Sequence, residues 1–235
     1  MESHDVTGAD GHRERIVAAA ARLLAEEGPD AVSTRAVSAA AGVQPPAIYR
    51  LFGDKQGLLD AVVADGFTSY LAGKTAQGPG DDPVEDLRTG WDLHIGLGLA
   101  NPGLYTLMYG RYRPGAPSPA ALAAFDVLAQ HIRRIAEAGR LRMPEDRAAA
   151  LVHAAGCGTT LTLIATPEDR RDPELSSTAR EAVIAAITTD APAATPGPVA
   201  AAVTLRAVLP QTDALTAPER GLMREWLDRI ADRPR

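Results

Sequence analysis

Apolar side chains recur every three or four residues along most of the chain, which is the spacing of one face of an α-helix. In residues 12–27 the repeat is carried by Ile16, Ala20, Leu23 and Leu24. No stretch of useful length alternates apolar and polar residues as a half-buried strand does. The pattern therefore predicts an all-α protein whose first helix spans residues 12–27.

The same periodicity predicts the remaining helices, with Gly, Pro and Asn-Pro breaks between them. They cover residues 34–41, 45–52, 54–70, 84–100, 104–112, 120–139, 145–166, 175–189, 199–209 and 218–231. Loops rich in Gly, Pro, Asp or Ala are predicted at residues 76–83, 113–119 and 190–198. We expect a flexible N-terminus at residues 1–11, a first domain at 12–75 and a second domain at 76–235.

Two short helices at residues 34–52 have the pattern of a helix-turn-helix, the unit that places a helix in the major groove of DNA. Ser33 or Thr34 is suited to cap the first helix. Gly42 ends it, where a left-handed residue is wanted. Pro45 or Pro46 begins the second helix, because proline fits the first helical turn. The N-terminal domain is therefore predicted to be a three-helix DNA-binding head.

The residues of this head also resemble a known family. The segments Ala41-Gly42-Val43 and Ile48-Tyr49, followed by Phe52, Lys55 and Leu58-Leu59, resemble the N-terminal domain of tetracycline-repressor-like (TetR family) transcriptional regulators over roughly residues 12–60. The resemblance implies a C-terminal helical domain for ligand binding and dimerisation.

The chain departs from the family's pattern at three positions. Ser38 stands where the family usually has Ala, and Pro46 stands where Gly is common. Leu51 stands where many members carry a His that touches phosphate, so one backbone contact is expected to be missing. None of these departures breaks the motif.

The resemblance implies that the start of the second short helix faces base edges. Gln44 has a side chain able to read an adenine edge, whereas Pro45, Pro46 and Ala47 suit thymine methyl groups. Thr34, Tyr49 and Lys55 are expected to contact phosphates. Arg35 and Arg50 are expected to contact either phosphates or bases. Two alternatives stay open: Tyr49 as a core aromatic residue, and the three cations as a merely solubilising surface.

The net charge of −6 is unusual for a DNA-binding protein. Residues 1–60 hold six Arg or Lys and nine Asp or Glu. Between residues 31 and 56, however, three basic residues accompany the single acidic Asp54. A small basic surface on an acidic body favours selective DNA binding, because non-specific affinity comes mostly from neutralised phosphates.

A small-molecule effector site is implied for the C-terminal domain. The less ordinary side chains of its predicted helices are Trp91, His94, Tyr105, Met108, Tyr109, His153 and Cys157. A mostly apolar pocket with a few polar groups needs such residues. Core packing is the alternative for each of them.

His153 and Cys157 lie four residues apart, on one helix face, so a thiol-dependent enzyme is a further alternative. No third orienting group is identifiable, and one Cys with five scattered His lacks the spacing of a zinc site. We therefore expect no enzyme, metal site or cofactor. A ligand-insensitive DNA-binding protein also remains open.

One short helix buries too little surface for tight, specific binding, whereas two-fold partners place two heads about 34 Å apart, one turn of DNA. We therefore expect a homodimer on palindromic double-stranded operator DNA, acting as a repressor. Residues 145–166, with their small residues Ala154, Gly156 and Gly158, are the first candidate for the dimer interface. A single cysteine, a polar N-terminus and no apolar run near 20 residues indicate a cytoplasmic protein with no membrane partner.

Overall fold

The computed structural model describes residues 4–72, 80–110, 117–190 and 197–232. Eleven α-helices are found in these ranges, which confirms the all-α prediction. They are α1 His4–Glu27, α2 Thr34–Ala41, α3 Pro45–Phe52, α4 Lys55–Ala72, α5 Pro83–Ala100, α6 Pro102–Tyr109, α7 Pro119–Glu137, α8 Glu145–Ala165, α9 Leu175–Ile187, α10 Pro198–Val208 and α11 Ala217–Ala231. The described part of the chain holds no strand, only an isolated antiparallel bridge between Leu141 and Thr188.

Most helix ends agree with the prediction within a few residues, and α1 is the exception. It was expected to begin at His12 after a flexible tail, but it begins at His4. The residues before His12 include few apolar side chains, so hydrophobic periodicity gives no signal for a helix there. Much of each predicted loop lies outside the described residues, because the structure does not describe 73–79, 111–116 and 191–196.

The chain forms two compact units, and neither is continuous in sequence. Unit 1 contains the described parts of residues 1–78 and 97–123, and unit 2 contains those of 79–96 and 124–235. This differs from the predicted single division at residue 75. The reason lies in α6, which packs against α1 and α4 and so belongs with the DNA-binding helices.

The core of unit 1 includes the predicted apolar face of α1 together with apolar side chains of α2, α3 and α4. Ile16 and Leu58 are fully buried, as are Val37 of α2 and Ile48 of α3. Burying each such side chain contributes roughly 1.5–3 kcal/mol. The core therefore holds the two short helices of the head against the two longer ones.

Helices α4 and α6 approach each other closely at Gly66. An ideal Cβ at this position lies 2.9 Å from Cδ2 of Leu104, so only glycine fits without displacing that side chain. Beside this contact is a half-open cavity of about 420 Å³, formed by α1, α4, the end of α5 and the start of α6. Unit 1 thus contains both a tight helix contact and unfilled space.

Unit 2 is held together by packing of α8 on α9 and of α10 on α11, with ion pairs between these elements. The guanidinium of Arg206 on α10 lies 2.7 Å from Glu145 of α8 and 2.7 Å from Asp228 of α11. Arg88 of α5 binds Glu181 of α9 at 2.9 Å. Arg206 therefore ties the start of α8 to the C-terminal helix pair.

Helix α8 is long and apolar enough, by length and composition, to cross a membrane. This corrects the expectation that no apolar run approaches that length. A helix in the core of a soluble protein passes the same test, and α8 packs on α9 within unit 2.

Candidate DNA interface and effector site

Both ends of α2, and the turn that follows it, are fixed by short-range hydrogen bonds. Of the two predicted caps, Ser33 is the one used: its Oγ accepts a hydrogen bond from the backbone N–H of Ala36 at 3.1 Å. Gly42 is left-handed, with φ of +65°, and donates to the carbonyl of Ala39. Val43 then donates to the carbonyl of Ser38 at 3.0 Å, which closes the helix end. The bonds of Gly42 and Val43 therefore define where α2 ends and the turn to α3 begins.

Ser38, one of the three departures from the family's pattern, is compatible with this turn. Its side chain is buried, and its hydroxyl donates to the carbonyl of Thr34 at 2.7 Å. A buried hydroxyl with a partner avoids the penalty of an unsatisfied polar group. The change from Ala to Ser is therefore accommodated inside α2.

Helix α3 presents one face to solvent and buries the other through Ile48. Pro45 is its first residue, as predicted, and Gln44 precedes it without using its side chain as a cap. The side chain of Gln44 is exposed and is not engaged by the helix end. It is therefore placed as a base-reading residue requires.

The predicted DNA contacts all lie between the start of α2 and the start of α4, within unit 1. Exposed among them are Arg35, Gln44, Pro45, Pro46, Tyr49, Arg50 and Lys55, whereas Thr34 and Ala47 are partly exposed. Tyr49 is 52% exposed, which contradicts its alternative interpretation as a core residue. The predicted DNA contacts are thus all at least partly exposed to solvent.

The turn from α3 to α4 contains the acidic residue of this surface. The carboxylate of Asp54 accepts a hydrogen bond from the N–H of Gly57 at 2.7 Å. This bond caps α4, and a negative charge at a helix N-terminus is favourable. Asp54 therefore has a structural role beside the basic residues.

Sequence reasoning missed one residue at this surface, Arg13 of α1. Its Nη1 donates to the carbonyl of Leu51 at 3.3 Å. Its guanidinium carbon lies 4.8 Å from the centre of the Phe52 ring. Neither contact could be read from the sequence, because the hydrogen-bonded residues are 38 positions apart.

Four of the seven predicted effector residues belong to one cluster in unit 2. An ideal Cβ on Gly156 lies 3.5 Å from the ring of His94 and 3.7 Å from that of Trp91. The rings of α5 therefore pack directly on the backbone of α8. Sγ of Cys157 lies 3.7 Å from Nε2 and 3.8 Å from Nδ1 of His153, one turn earlier on α8.

Three further residues complete this cluster, and none of them was among the predicted effector residues. The ring of Phe125 lies edge-on to His153, with ring centres 5.5 Å apart. The indole N–H of Trp91 donates to Oγ of Ser176 at 3.1 Å. The third is Gly156, which was expected at a dimer interface but is buried against His94 instead. We call these seven residues the imidazole cluster: Trp91, His94, Phe125, His153, Gly156, Cys157 and Ser176.

Burial governs the charge of the imidazole cluster. Desolvation, assisted by the neighbouring His153, lowers the pKa of His94 to about 4. Desolvation also lowers the pKa of His153. Because burial disfavours the protonated form, both rings are neutral at pH 7. The cluster therefore offers neutral hydrogen-bonding groups and aromatic faces.

The other three predicted effector residues lie on α6 in unit 1. Tyr105 and Met108 are buried, and the ring of Tyr105 lies 4.8 Å from that of Tyr109, centre to centre. The structure thus divides the predicted set between two units. Within the described ranges, no group of three or more His, Cys, Asp or Glu is arranged to hold a metal ion.

Helix-turn-helix geometry, an exposed second helix and a surrounding all-α fold define the class of DNA-binding regulators. The family described as bacterial regulatory proteins, tetR family, matches residues 16–62. No curated protein matches the chain.

Solved structures extend this likeness over more of the chain. RolR in complex with resorcinol is 17% identical with a TM-score of 0.63, and the match covers 97% of each chain. NalD of Pseudomonas aeruginosa, the secondary repressor of the MexAB-OprM multidrug efflux pump, is 19% identical with a TM-score of 0.51, covering 78% of this chain and 98% of NalD. A TetR variant from Acinetobacter baumannii in complex with minocycline is 20% identical with a TM-score of 0.54, covering 73% and 93%.

Residues 16–62 therefore match the model of the tetR family of bacterial regulatory proteins, and the chain has the fold of the solved tetR-family regulator structures that it resembles.

Proposed function

We propose that the protein is a ligand-responsive repressor that binds a palindromic operator as a homodimer in the cytoplasm, without a cofactor. The observation that carries this proposal is the exposed helix α3, held by a capped turn and preceded by the unengaged side chain of Gln44. Such a helix fits a major groove about 12 Å wide.

Within this interface we assign two kinds of role. Gln44, Pro45, Pro46 and Ala47 read base edges, since they form the start of α3. Thr34, Tyr49 and Lys55 contact phosphates, which position the helix without carrying sequence information. Arg35 and Arg50 serve either role.

The dimer is supported by apolar side chains that unit 2 leaves exposed. Leu222, Trp226 and Ile230 follow one another at four-residue steps on α11, and Trp226 is 54% exposed. Leu151 on α8 is exposed too, beside the exposed small residues Ala154 and Gly158. Large exposed apolar side chains in a row are characteristic of protein interfaces. We therefore assign the interface to α8 and α11.

This interface is tested by Trp226→Glu, with Arg224→Glu as the matched control on the same helix. A charge in the centre of an apolar interface is unpaired when buried, so the Trp226 variant is expected to be monomeric in analytical ultracentrifugation at micromolar concentration. The Arg224 variant remains dimeric. A dimeric Trp226→Glu protein contradicts the assignment to α11.

The imidazole cluster supports an effector site for an uncharged, partly aromatic molecule. Its imidazoles are neutral, its rings are apolar, and Cys157 adds a polarisable sulfur atom. RolR and TetR hold resorcinol and minocycline in their solved complexes, so small molecules with ring systems are the first to screen. Tyr105, Met108 and Tyr109 of α6 remain candidate effector contacts within unit 1.

DNA binding is tested by selecting duplexes from a random-sequence library with the purified protein. An enriched, two-fold symmetric sequence with two protomers bound is the expected result. Gln44→Ala then relaxes the preference at one base position of each half-site, whereas Lys55→Ala weakens all sequences alike and flattens the salt dependence by about one ion per head. Unchanged base preferences in Gln44→Ala contradict the assigned role of α3.

Effector response is tested on the selected duplex with a library of small phenols and polycyclic compounds. The expected result is release of DNA by one of them, lost in Gly156→Leu, whose larger side chain is placed against the rings of His94 and Trp91. Release that persists in this variant moves the site elsewhere. DNA binding that no compound changes favours the ligand-insensitive alternative.

A further inference from the structure

We propose that Arg13, on α1, is a positioning residue for DNA recognition that fixes the C-terminal end of the recognition helix α3. The inference rests on the proposed function, and it assigns a role to a residue outside the helix-turn-helix. Arg13 acts through α3 and needs no contact with a base.

The C-terminal end of α3 has carbonyl groups that need hydrogen-bond donors from outside the helix. The last four carbonyls of any helix have no partner within the helix itself. In α3, the carbonyl of Tyr49 accepts from the N–H of Gly53 at 2.9 Å. The carbonyl of Leu51 accepts from Nη1 of Arg13 at 3.3 Å. Arg13 therefore supplies from α1 a hydrogen bond that α3 lacks.

Arg13 also contacts Phe52, the last residue of α3. The guanidinium lies 4.8 Å from the centre of the Phe52 ring, within the distance of about 6 Å at which cations and aromatic faces attract. A positive charge at a helix C-terminus is also favourable, because it opposes the helix dipole. One side chain thus holds both the backbone and the ring at this end.

Helix α3 is short and depends on its neighbours α2 and α4 for stability. It has eight residues, about two turns, and helices of this length are unstable in isolation. Its start is stiffened by Pro45 but receives no hydrogen bond from the side chain of Gln44. Ile48 is its single buried residue. A tether at the C-terminal end therefore acts together with the packing of Ile48 to set the angle at which Tyr49 meets DNA.

The two contacts of Arg13 require the shape of an arginine side chain as well as its charge. A guanidinium is planar, so it stacks on a ring while one N–H still points to a carbonyl. Lysine keeps the positive charge but has a compact ammonium group that cannot do both. Arg13→Lys therefore separates positioning of α3 from simple attraction to DNA.

The experiment compares Arg13→Ala and Arg13→Lys with Arg15→Ala, which removes the same charge from an exposed position on α1. The DNA probes are a 30-base-pair duplex enriched by the wild-type protein and a shuffled duplex of the same composition. Both Arg13 variants are expected to bind the enriched duplex about tenfold more weakly, because each dimer loses the tether in two heads. Their loss on the shuffled duplex does not exceed that of Arg15→Ala.

A second readout needs no DNA. Amide hydrogen exchange at Gly53 reports the last hydrogen bond of α3, from Gly53 to Tyr49. Exchange there is expected to be at least fivefold faster in both Arg13 variants and unchanged in Arg15→Ala. Phe52→Leu combined with Arg13→Ala should be no worse than Arg13→Ala alone, because the stacking contact is already lost.

The outcomes are separable. Arg13→Lys that behaves as wild type, with Arg13→Ala weakening both duplexes alike, makes Arg13 a phosphate contact only and overturns the proposal. Arg13 variants that match Arg15→Ala in binding and exchange overturn it too. If no duplex is enriched, the proposed function fails, and exchange at Gly53 still decides whether Arg13 holds α3.

Discussion

Acidification should destabilise the protein through His94, and the structure gives the size of the effect. Burial and the neighbouring His153 lower the pKa of His94 from 6.5 in the unfolded chain to about 4 in the folded protein. Above pH 6.5 the ring is neutral in both states, so the group has no effect on the pH dependence. Below pH 6.5 the unfolded chain binds a proton that the folded protein does not, and stability falls.

The magnitude follows from this difference of about 2.5 pH units at 1.36 kcal/mol each, which gives a loss of about 3 kcal/mol between pH 7 and pH 4. This is a large fraction of the 5–15 kcal/mol that is typical of folded domains. Below about pH 4 the folded protein also binds the proton, and the contribution of His94 to the slope ends.

The assay is urea denaturation at half-unit steps from pH 7.5 to 4.5, at one fixed protein concentration because a dimer's stability depends on it. Wild type is compared with His94→Gln, which cannot titrate, and with His12→Gln on the exposed surface of α1. The other titrating groups are shared, so the contribution of His94 is the difference between wild type and His94→Gln in the slope of the free energy of unfolding against pH. Equal slopes in these two proteins refute the reasoning.

Two glycine substitutions test backbone conformation and close packing. Gly42→Ala forces a left-handed residue, φ +65°, to carry a methyl group that meets no atom within 4 Å, so urea denaturation should show a loss of about 1 kcal/mol from the backbone alone. The same change at Gly221, in the exposed part of α11, should be neutral or stabilising. Gly66→Ala places Cβ 2.9 Å from Leu104 and should cost about 1–3 kcal/mol, reduced when combined with Leu104→Ala; strictly additive effects there contradict a direct clash.

The head could be predicted from sequence because its signals are local. A serine cap, a left-handed glycine and a proline each specify a helix end within a few residues, and the structure places Ser33, Gly42 and Pro45 at those ends. The apolar repeat likewise gave the buried face of α1, including Ile16 and Leu24.

Contacts between distant segments could not be predicted in this way. Gly156 was interpreted as a small residue for helix pairing, yet it lies against the rings of His94 and Trp91. Ser176 and Phe125 join the same cluster from two other helices. The contacts of Arg13 with Leu51 and Phe52 have no signal in the hydrophobic periodicity, because they depend on how α1 is placed beside α3.

The placement of α6 in unit 1 has a consequence for biosynthesis. The ribosome completes α4 at Ala72, but α6 ends only at Tyr109. At 5–20 residues per second the intervening segment takes roughly two to seven seconds to make. During this interval the sides of α1 and α4 that will contact Gly103 and Leu104 lack their partner. The nascent head is then most open to proteases and to association with neighbouring chains on the same messenger RNA.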